Sequence, residues 1–267
     1  MELTIIQQII LGIIQGITEW IPISSSGFTI LAMSNLFNIT DLNYIIQMTL
    51  FLHLGTFFAA LVYFRKDVVY LTKSLFNYKK SDKETKNTIN FLIITTLISG
   101  IMGIIILLSI SGFRADIEIT GKTITFFIGI LLLLTGVIQI KIKEKGLRKE
   151  KEITHNDSVI LGFAQGLATL PGISRSGITI STLLLKKFDD TTALRLSFLM
   201  SLPIILFGNL IINLDKFIIT NNAIYGLAFS FIFGLLTIHA LMKISKKINF
   251  GWFVLIFAII MLGSLLI

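Results

Sequence analysis

The sequence predicts an all-α polytopic membrane protein, and three observations support this prediction. Hydrophobic residues make up 54% of the 267 positions, charged residues make up only 14%, and the mean hydropathy is +0.87. Six apolar runs are each long enough to cross a bilayer. An apolar segment near the N-terminus, interrupted by Gly, Pro and a Ser cluster, recurs in the second half of the chain. Soluble globular domains do not combine this composition with such runs.

The apolar runs predict six transmembrane helices, because each has about the 20 residues that a helix needs to cross the hydrocarbon core. They lie at roughly 44–64, 90–111, 122–141, 193–214, 222–244 and 250–267. An earlier apolar stretch carries Glu2 instead of the basic residues of a signal peptide, so we expect it to remain in the mature fold. The chain has no cysteine, which excludes disulfides and thiolate chemistry.

The recurring segment occupies residues 10–30 and returns without a gap at 160–180. Eleven of its 21 positions are identical in the two copies; in the first copy they are Ile10, Leu11, Gly12, Gln15, Gly16, Ile23, Ser24, Ser26, Gly27, Thr29 and Ile30. Each copy lies in a longer segment, 4–37 or 156–187, that Gly, Pro and Ser interrupt in the middle. Irregular backbone is tolerated in a membrane only inside protein or beside a wet cavity, so both segments are predicted to be re-entrant helical hairpins.

Three predicted spans separate the two copies, so the halves are expected to have inverted topologies. We treat residues 1–267 as one integral membrane domain whose halves cover about 1–121 and 156–267. The first hairpin then enters the membrane from outside and the second from the cytoplasm. Their broken tips are predicted to meet within the bilayer, where helix N-termini favour an anionic group such as phosphate.

Basic residues predict the orientation, because short loops rich in Lys and Arg stay in the cytoplasm. They follow the first, third and fifth spans, and they are Arg65, Lys66, Lys73, Lys79, Lys80, Lys83, Lys86, Lys143, Lys145, Arg148, Lys149, Lys151, Lys243, Lys246 and Lys247. Both termini are therefore predicted outside the plasma membrane. The net charge of +8 suggests attraction to anionic lipid headgroups rather than to nucleic acid. Interleaved acids such as Glu150 favour the plainer interpretation, a mostly solvated surface.

Polar residues of the first tip suggest a site. Gln15 and Glu19 are four residues apart and share a helix face. A carboxylate at this depth is costly unless it is paired, so Glu19 either pairs structurally with Arg175 or takes part in chemistry. The cluster from Ser24 to Gly27 either binds a phosphate or caps a short helix.

The second tip contributes an arginine at the predicted membrane depth, where such a residue is a functional candidate. Arg175 lies between two serines and follows a Pro-Gly turn. Its planar guanidinium suits bidentate phosphate recognition better than lysine does. The first copy has Ser25 at the corresponding position, and this divergence favours asymmetric chemistry over symmetric transport.

The patterns QGITEWIPISSSG and LPGISRSGITI resemble the two signature motifs of the undecaprenyl-diphosphate phosphatases of the BacA type, over essentially the whole chain. The resemblance implies a membrane hydrolase with six spans and two inverted re-entrant regions. It implies removal of the terminal phosphate of undecaprenyl diphosphate, a polyprenyl diphosphate, to give the lipid carrier of surface-glycan and cell-wall synthesis. Bacitracin resistance is associated with this family. The bilayer and the lipid are the implied partners; the oligomeric state, including a homodimer, stays open.

Carried over by motif position, the implied catalytic residues are Glu19, Ser25 and Arg175. The expected substrate-binding residues are Gln15, Ser24, Ser26, Gly27, Gly172, Ser174, Ser176 and Thr179. Phe28 stands where many members carry a histidine. His53 in the first span is a candidate substitute for it, and a hydrogen-bonded core histidine is the alternative.

The chemistry expected of these residues is phosphoryl transfer, in which charge neutralisation and alignment dominate. Ser25 either attacks the terminal phosphorus or orients a water molecule, and Glu19 acts as general base or metal ligand. A divalent cation, Mg²⁺ or Ca²⁺, held by oxygens of Glu19, Gln15 and the substrate, is expected as a cofactor. The competing function is a transporter or flippase of a lipid phosphate or small anion, since inverted repeats with broken helices also build carriers.

Overall fold

The computed structural model describes residues 3–21, 23–112, 146–170, 173–213, 221–244 and 250–263, with isolated positions between 126 and 140. Ten α-helices are defined within these residues: α1 Ile5–Thr18, α2 Ser25–Leu31, α3 Leu42–Tyr63, α4 Arg65–Phe76, α5 Lys83–Gly112, α6 His155–Leu167, α7 Arg175–Leu185, α8 Asp190–Asn213, α9 Ala223–Ile244 and α10 Phe250–Gly263. A π-helical turn, Ala32–Leu36, extends α2. The predicted all-α class is confirmed for the part of the chain that is described.

Four of the described helices are long and apolar enough to cross a membrane: Asn43–Tyr63, Lys83–Ile106, Asp190–Leu210 and Ala223–Lys243. They correspond to the first, second, fourth and fifth predicted spans. The third predicted span, 122–141, lies mostly outside the described residues, and α10 in the sixth is shorter, with 14 residues. The chain is therefore a multi-pass membrane protein.

Both repeat segments fold as helix, break and helix, as the interrupted sequence predicts. In the first, α1 ends at Thr18 and α2 begins after Ser24, whose hydroxyl accepts a hydrogen bond from the Gly27 amide over 3.2 Å. In the second, Ser174 caps α7 in the same way through the Gly177 amide at 3.0 Å. These serines satisfy amide groups that a helix start leaves without partners.

The first helix of each repeat packs against a long helix of the opposite half. Helix α1 packs along α9, and α6 packs along α5. Glycines at equivalent positions permit both contacts: a Cβ atom at Gly16 would lie 2.8 Å from the Gly234 amide nitrogen, and one at Gly166 would lie 2.7 Å from Cβ of Met102. The two halves are thus interlocked, and the interlocking brings their broken segments together.

Charged residues connect the segments at one end of the helices. Arg195 of α8 donates from Nη2 to Oδ1 of Asp67 in α4 over 2.6 Å, and it also pairs with Glu150. Nearby, Nη2 of Arg148 donates to Oδ2 of Asp157 over 2.6 Å. The connections that follow the first and third predicted spans therefore contact each other through one arginine.

Candidate active site

Glu19 lies at the centre of a buried polar cluster in the break between α1 and α2. Its side chain is only 5% exposed, yet both carboxylate oxygens are satisfied. Oε2 accepts hydrogen bonds from Nε2 of Gln15 over 2.9 Å and from Oγ of Ser25 over 2.6 Å. Gln15 reaches Glu19 because the two are one helical turn apart. A carboxylate so far from water needs this many donors to remain charged.

Arg175 reaches Glu19 from the other half of the chain. Its Nη2 atom lies 2.5 Å from Oε1 of Glu19, across a sequence separation of 156 residues. Nη1 donates to the Ser197 carbonyl over 3.5 Å, and only 13% of the arginine side chain is exposed. Because Arg175 is the first residue of α7, its side chain leaves the helix at the tip facing the first repeat.

His53 joins the cluster from α3. Its Nε2 atom lies 3.2 Å from Oε2 of Glu19, while Nδ1 lies 2.6 Å from the Thr49 carbonyl oxygen. A carbonyl only accepts hydrogen bonds, so Nδ1 carries a proton. Nε2 then faces the Glu19 carboxylate and donates to it when the imidazole is protonated. The ring therefore links the Thr49 carbonyl to Glu19.

Ser25 is positioned by its own helix start. It is the first residue of α2, it is 8% exposed, and its backbone carbonyl accepts from the Thr29 hydroxyl over 3.0 Å. The Ser25 hydroxyl proton points at Glu19, which leaves the oxygen lone pairs directed elsewhere. Ser26 is half-buried on the same turn.

The second tip holds its serines against the first. The Ser176 hydroxyl donates to the Ile21 carbonyl over 2.8 Å and lies 3.2 Å from that of Ser174. Thr179, one turn later, shares a hydrogen bond of 2.7 Å with the Ser197 hydroxyl. The Ser176 bond holds the α7 tip against the α1–α2 break, and the Thr179 bond holds it against α8. Both therefore help to position Arg175.

Trp20 forms the apolar wall beside Arg175. The indole is fully buried, and the guanidinium carbon lies 5.5 Å from the ring centroid. Phe198 packs edge-on against the indole with ring centroids 4.9 Å apart. A cation over an aromatic face is stabilised in dry surroundings, so Trp20 helps hold the arginine in place.

The structure therefore brings together the three predicted catalytic residues, with Gln15 and His53 beside them. Ser24 and Ser174 are helix caps, and Gly27 and Gly177 provide the capped amides. Gly172 lies outside the described residues. Phe28, at the position where many family members carry a histidine, packs in a separate apolar cluster with Ile23 and Ala258. Its side chain therefore belongs to that cluster and adds no polar group to the site.

Sequence reasoning missed the groups that position the charged side chains. The backbone carbonyls of Thr49, Ser197 and Ile21 anchor His53, Arg175 and Ser176. Every residue has a backbone carbonyl, so the residue type does not show which carbonyls act as acceptors. The three residues that provide these carbonyls also lie at least two positions from any motif serine. Trp20 left a readable signal, because a tryptophan directly follows the predicted intramembrane Glu19 in the sequence.

The donor set fits a divalent cation only in part. Within the described residues no three His, Cys, Asp or Glu side chains are grouped closely enough to hold a metal ion. Gln15 turns its amide nitrogen, not its oxygen, toward Glu19. Oε1 of Glu19 accepts from Arg175 alone among the described donors, which leaves it acceptor capacity. One carboxylate combined with phosphate oxygens is a usual way to bind Mg²⁺.

The chain is similar to one known protein family and to several of its members. The family model of the bacitracin resistance protein BacA matches residues 8–264. An undecaprenyl-diphosphatase of Methanococcoides burtonii is 43% identical over 256 residues, which cover 94% of each chain. One from Methanothrix thermoacetophila is 34% identical, covering 97% of this chain and 96% of that protein. One from Methanococcus vannielii is 35% identical, covering 91% and 93%.

Proposed function

The chain belongs to the BacA family, and from that premise we propose that the Glu19 cluster hydrolyses the terminal phosphate of undecaprenyl diphosphate to give the monophosphate. The chain is thus a membrane hydrolase, an undecaprenyl-diphosphatase, whose product is the lipid carrier of cell-surface glycan synthesis. The observation that carries the proposal is the meeting of Ser25, Arg175 and His53 on one buried carboxylate.

The proposed topology has six spans and two re-entrant hairpins in an inverted repeat. The helix-break-helix form of both repeat segments supports the hairpins, and the four long apolar helices support four of the spans. Contact of Arg195 with both Asp67 and Glu150 supports placing the basic connections on one side. The positive-inside rule then assigns that side to the cytoplasm and both termini to the outside of the plasma membrane.

Substrate binding is proposed to exchange the partner of Arg175. In the substrate-free arrangement the guanidinium pairs with Glu19. A diphosphate carries more negative charge and more acceptor oxygens than a carboxylate, so it takes the planar donor fork of Arg175. Glu19 then loses a neighbouring positive charge and becomes a better proton acceptor. The arginine neutralises charge on the terminal phosphate, the main requirement for phosphoryl transfer.

Ser25 is proposed to be the nucleophile. Its hydroxyl already donates to Glu19 over 2.6 Å, so proton loss needs no rearrangement. The serine oxygen forms a bond to the terminal phosphorus, the bond from phosphorus to the bridging oxygen breaks, and Glu19 passes the proton to the departing monophosphate. Water then attacks the phosphorus of the phosphoserine while Glu19 accepts a proton from the water. The bond from Oγ of Ser25 to phosphorus breaks, Glu19 returns the proton to Oγ, and inorganic phosphate leaves.

His53 is proposed to hold the Glu19 carboxylate in a fixed position relative to Ser25 throughout this cycle. The Thr49 carbonyl fixes the imidazole orientation from behind, as outer partners do for catalytic histidines. This gives the site an imidazole although residue 28 is phenylalanine. The ring donates to the same oxygen that faces Ser25, so it sets the position of the proton acceptor relative to the nucleophile.

A Mg²⁺ or Ca²⁺ ion is proposed to be held by the diphosphate oxygens together with Glu19, with Gln15 as a further oxygen donor. Its chemistry when bound is to withdraw charge from the phosphate oxygens. Most of its ligands are expected from the substrate, because the described protein groups supply a single carboxylate at the site.

The carrier function that an inverted repeat also permits is not favoured. The relatives compared above are named diphosphatases, and a serine hydroxyl that donates to a buried carboxylate is the arrangement expected of an activated nucleophile. Fold alone does not separate the two functions, so the distinction rests on the site.

The test measures inorganic phosphate released from undecaprenyl diphosphate by purified protein in detergent, for the wild type and for Ser25→Ala. We expect the variant to lose at least about a hundredfold in kcat, and acid quenching of wild type with labelled substrate to trap phosphoserine. Ser34→Ala, a half-buried hydroxyl beyond α2, is the matched control. Full turnover by Ser25→Ala would eliminate the nucleophile; no release from wild type in any divalent cation, with phosphate uptake into vesicles, would establish the carrier.

A further inference from the structure

Helix α4 has an outward face that nothing in the described residues covers. The helix spans Arg65–Phe76 and contains no buried residue. Val69 and Phe76 are 51% and 84% exposed, and their spacing of seven residues places them on one face. Lys66 and Lys73, both exposed, lie on the same face with the same spacing.

Contacts on the opposite side fix the rotation of α4. Asp67 accepts from Nη2 of Arg195 over 2.6 Å, which ties the helix to α8. Val68 and Leu71, on that side, pack against the buried apolar core. The face with Lys66, Val69, Lys73 and Phe76 therefore points away from the protein by construction.

The position of α4 along the chain places it at the membrane surface. The spanning helix α3 ends at Tyr63, and only the buried Phe64 separates it from α4. The backbone of Phe64, with φ −96° and ψ 21°, breaks the helix at that point. A helix that starts one residue beyond a membrane span begins at the bilayer surface, and the break at Phe64 lets it turn away from the axis of α3.

From this geometry we infer that α4 lies in the membrane interface and binds anionic lipid headgroups, with Val69 and Phe76 inserted below the headgroups and Lys66 and Lys73 paired with them. Alternating apolar and basic residues on one face are typical of helices that lie in this plane. Lysine stems extend along the apolar layer while their ammonium groups reach the phosphates. Asp67, the acidic residue of α4, is already paired with Arg195, so the outward face keeps its positive charge.

The test uses the full chain in lipid nanodiscs. Because the sequence has no cysteine, Phe76→Cys carries a single environment-sensitive fluorophore. We expect blue-shifted emission, protection from an aqueous quencher, and quenching by nitroxide-labelled phosphatidylglycerol that is roughly five-fold stronger than by nitroxide-labelled phosphatidylcholine. Val69→Cys provides a second label site if the first variant is poorly folded, and phosphate release checks that both variants are native.

Charge variants decide the lipid selectivity. Lys66→Gln with Lys73→Gln is expected to remove the preference for phosphatidylglycerol and to leave the label protected from water. Lys83→Gln with Lys151→Gln removes two exposed charges outside α4 and is expected to leave the preference unchanged. Inorganic phosphate, which would displace a soluble anion, is expected to have no effect when the ionic strength is held constant with sodium chloride. A label open to water, a preference insensitive to the α4 lysines, or its loss on adding phosphate would each overturn the inference.

Discussion

The Nη2 atom of Arg175 lies 2.5 Å from Oε1 of Glu19, so the two repeat tips are joined by an ion pair across 156 residues. Each side chain alone would be an uncompensated charge in surroundings that are largely closed to water. In the proposed mechanism the same pair supplies a cation for the phosphate and a base for the nucleophile. It is therefore the resting form of the proposed site.

Replacing Arg175 should show whether the site needs only its positive charge or also its planar arrangement of donors. We expect Arg175→Ala to lower kcat/KM for phosphate release by about 10²–10³, as for loss of one main charge-stabilising group. Arg175→Lys should recover only part of this activity, because an ammonium group lacks the planar donor fork. Steady-state kinetics in detergent measures both variants. Equal activity of Arg175→Lys and wild type would show that a point charge is sufficient.

Replacing His53 should lower turnover through the position of Glu19. His53→Leu removes the donor to Oε2 and is expected to reduce kcat by about tenfold to a hundredfold, with a smaller effect on KM. His53→Gln retains an amide donor of comparable length, and we expect it to restore part of kcat. Unchanged kcat in His53→Leu would assign the histidine to the core alone.

Removing divalent cations should abolish turnover without affecting folding. A chelator is expected to stop phosphate release, because the cation withdraws charge from the diphosphate. The melting temperature of the substrate-free protein should stay the same, since the described residues offer no cluster of metal-binding side chains. Thermal unfolding with and without chelator makes the comparison. A clear drop in the melting temperature would indicate a resident ion.

Substituting Gly16 should disrupt the contact between halves. A Cβ atom there would lie 2.8 Å from backbone atoms of α9, so Gly16→Ala should lower the free energy of unfolding by about 1–3 kcal/mol. Gly100 lies within α5, and no atom of the described residues lies within 4 Å of a Cβ placed there. Gly100→Ala should therefore be neutral or stabilising by up to about 1 kcal/mol. Equal effects of the two changes in thermal unfolding would contradict the packing argument.

Protonating Asp157 should weaken the protein in acid. Burial raises the pKa of Asp157, but hydrogen bonds from Arg148 and Thr154 outweigh it and hold the pKa below its ordinary value. Its contribution is thus complete above the unfolded-state pKa of about 4 and is lost as the pH falls through the lower folded value. Asp157→Asn should cost about 1–2 kcal/mol at neutral pH.

The Asp157→Asn variant should also lose less stability than wild type between neutral pH and about pH 3. Melting temperatures across this range measure the difference. Parallel pH profiles of the two proteins would show that Asp157 does not couple protonation to folding.

The amino-acid sequence by itself determined the membrane class, four spans that the described helices confirm, and the two interrupted segments with Ser24 and Ser174 at their helix starts. Transfer free energy, helix periodicity and capping act over neighbouring residues, so they can be read locally. The motifs also predicted Glu19, Ser25 and Arg175 as candidate catalytic residues.

Only the tertiary structure decided how these residues meet. Helix α1 of the first half packs on α9 of the second, and α6 of the second half packs on α5 of the first. Glycines at these contacts let the helices approach closely, and this sets the distance between the two tips. It also brings His53 from α3 to Glu19 and recruits the Thr49 and Ser197 carbonyls as anchors. Such contacts join residues far apart in the chain, and they depend on the fit of whole helix surfaces, which leaves no local pattern in the sequence.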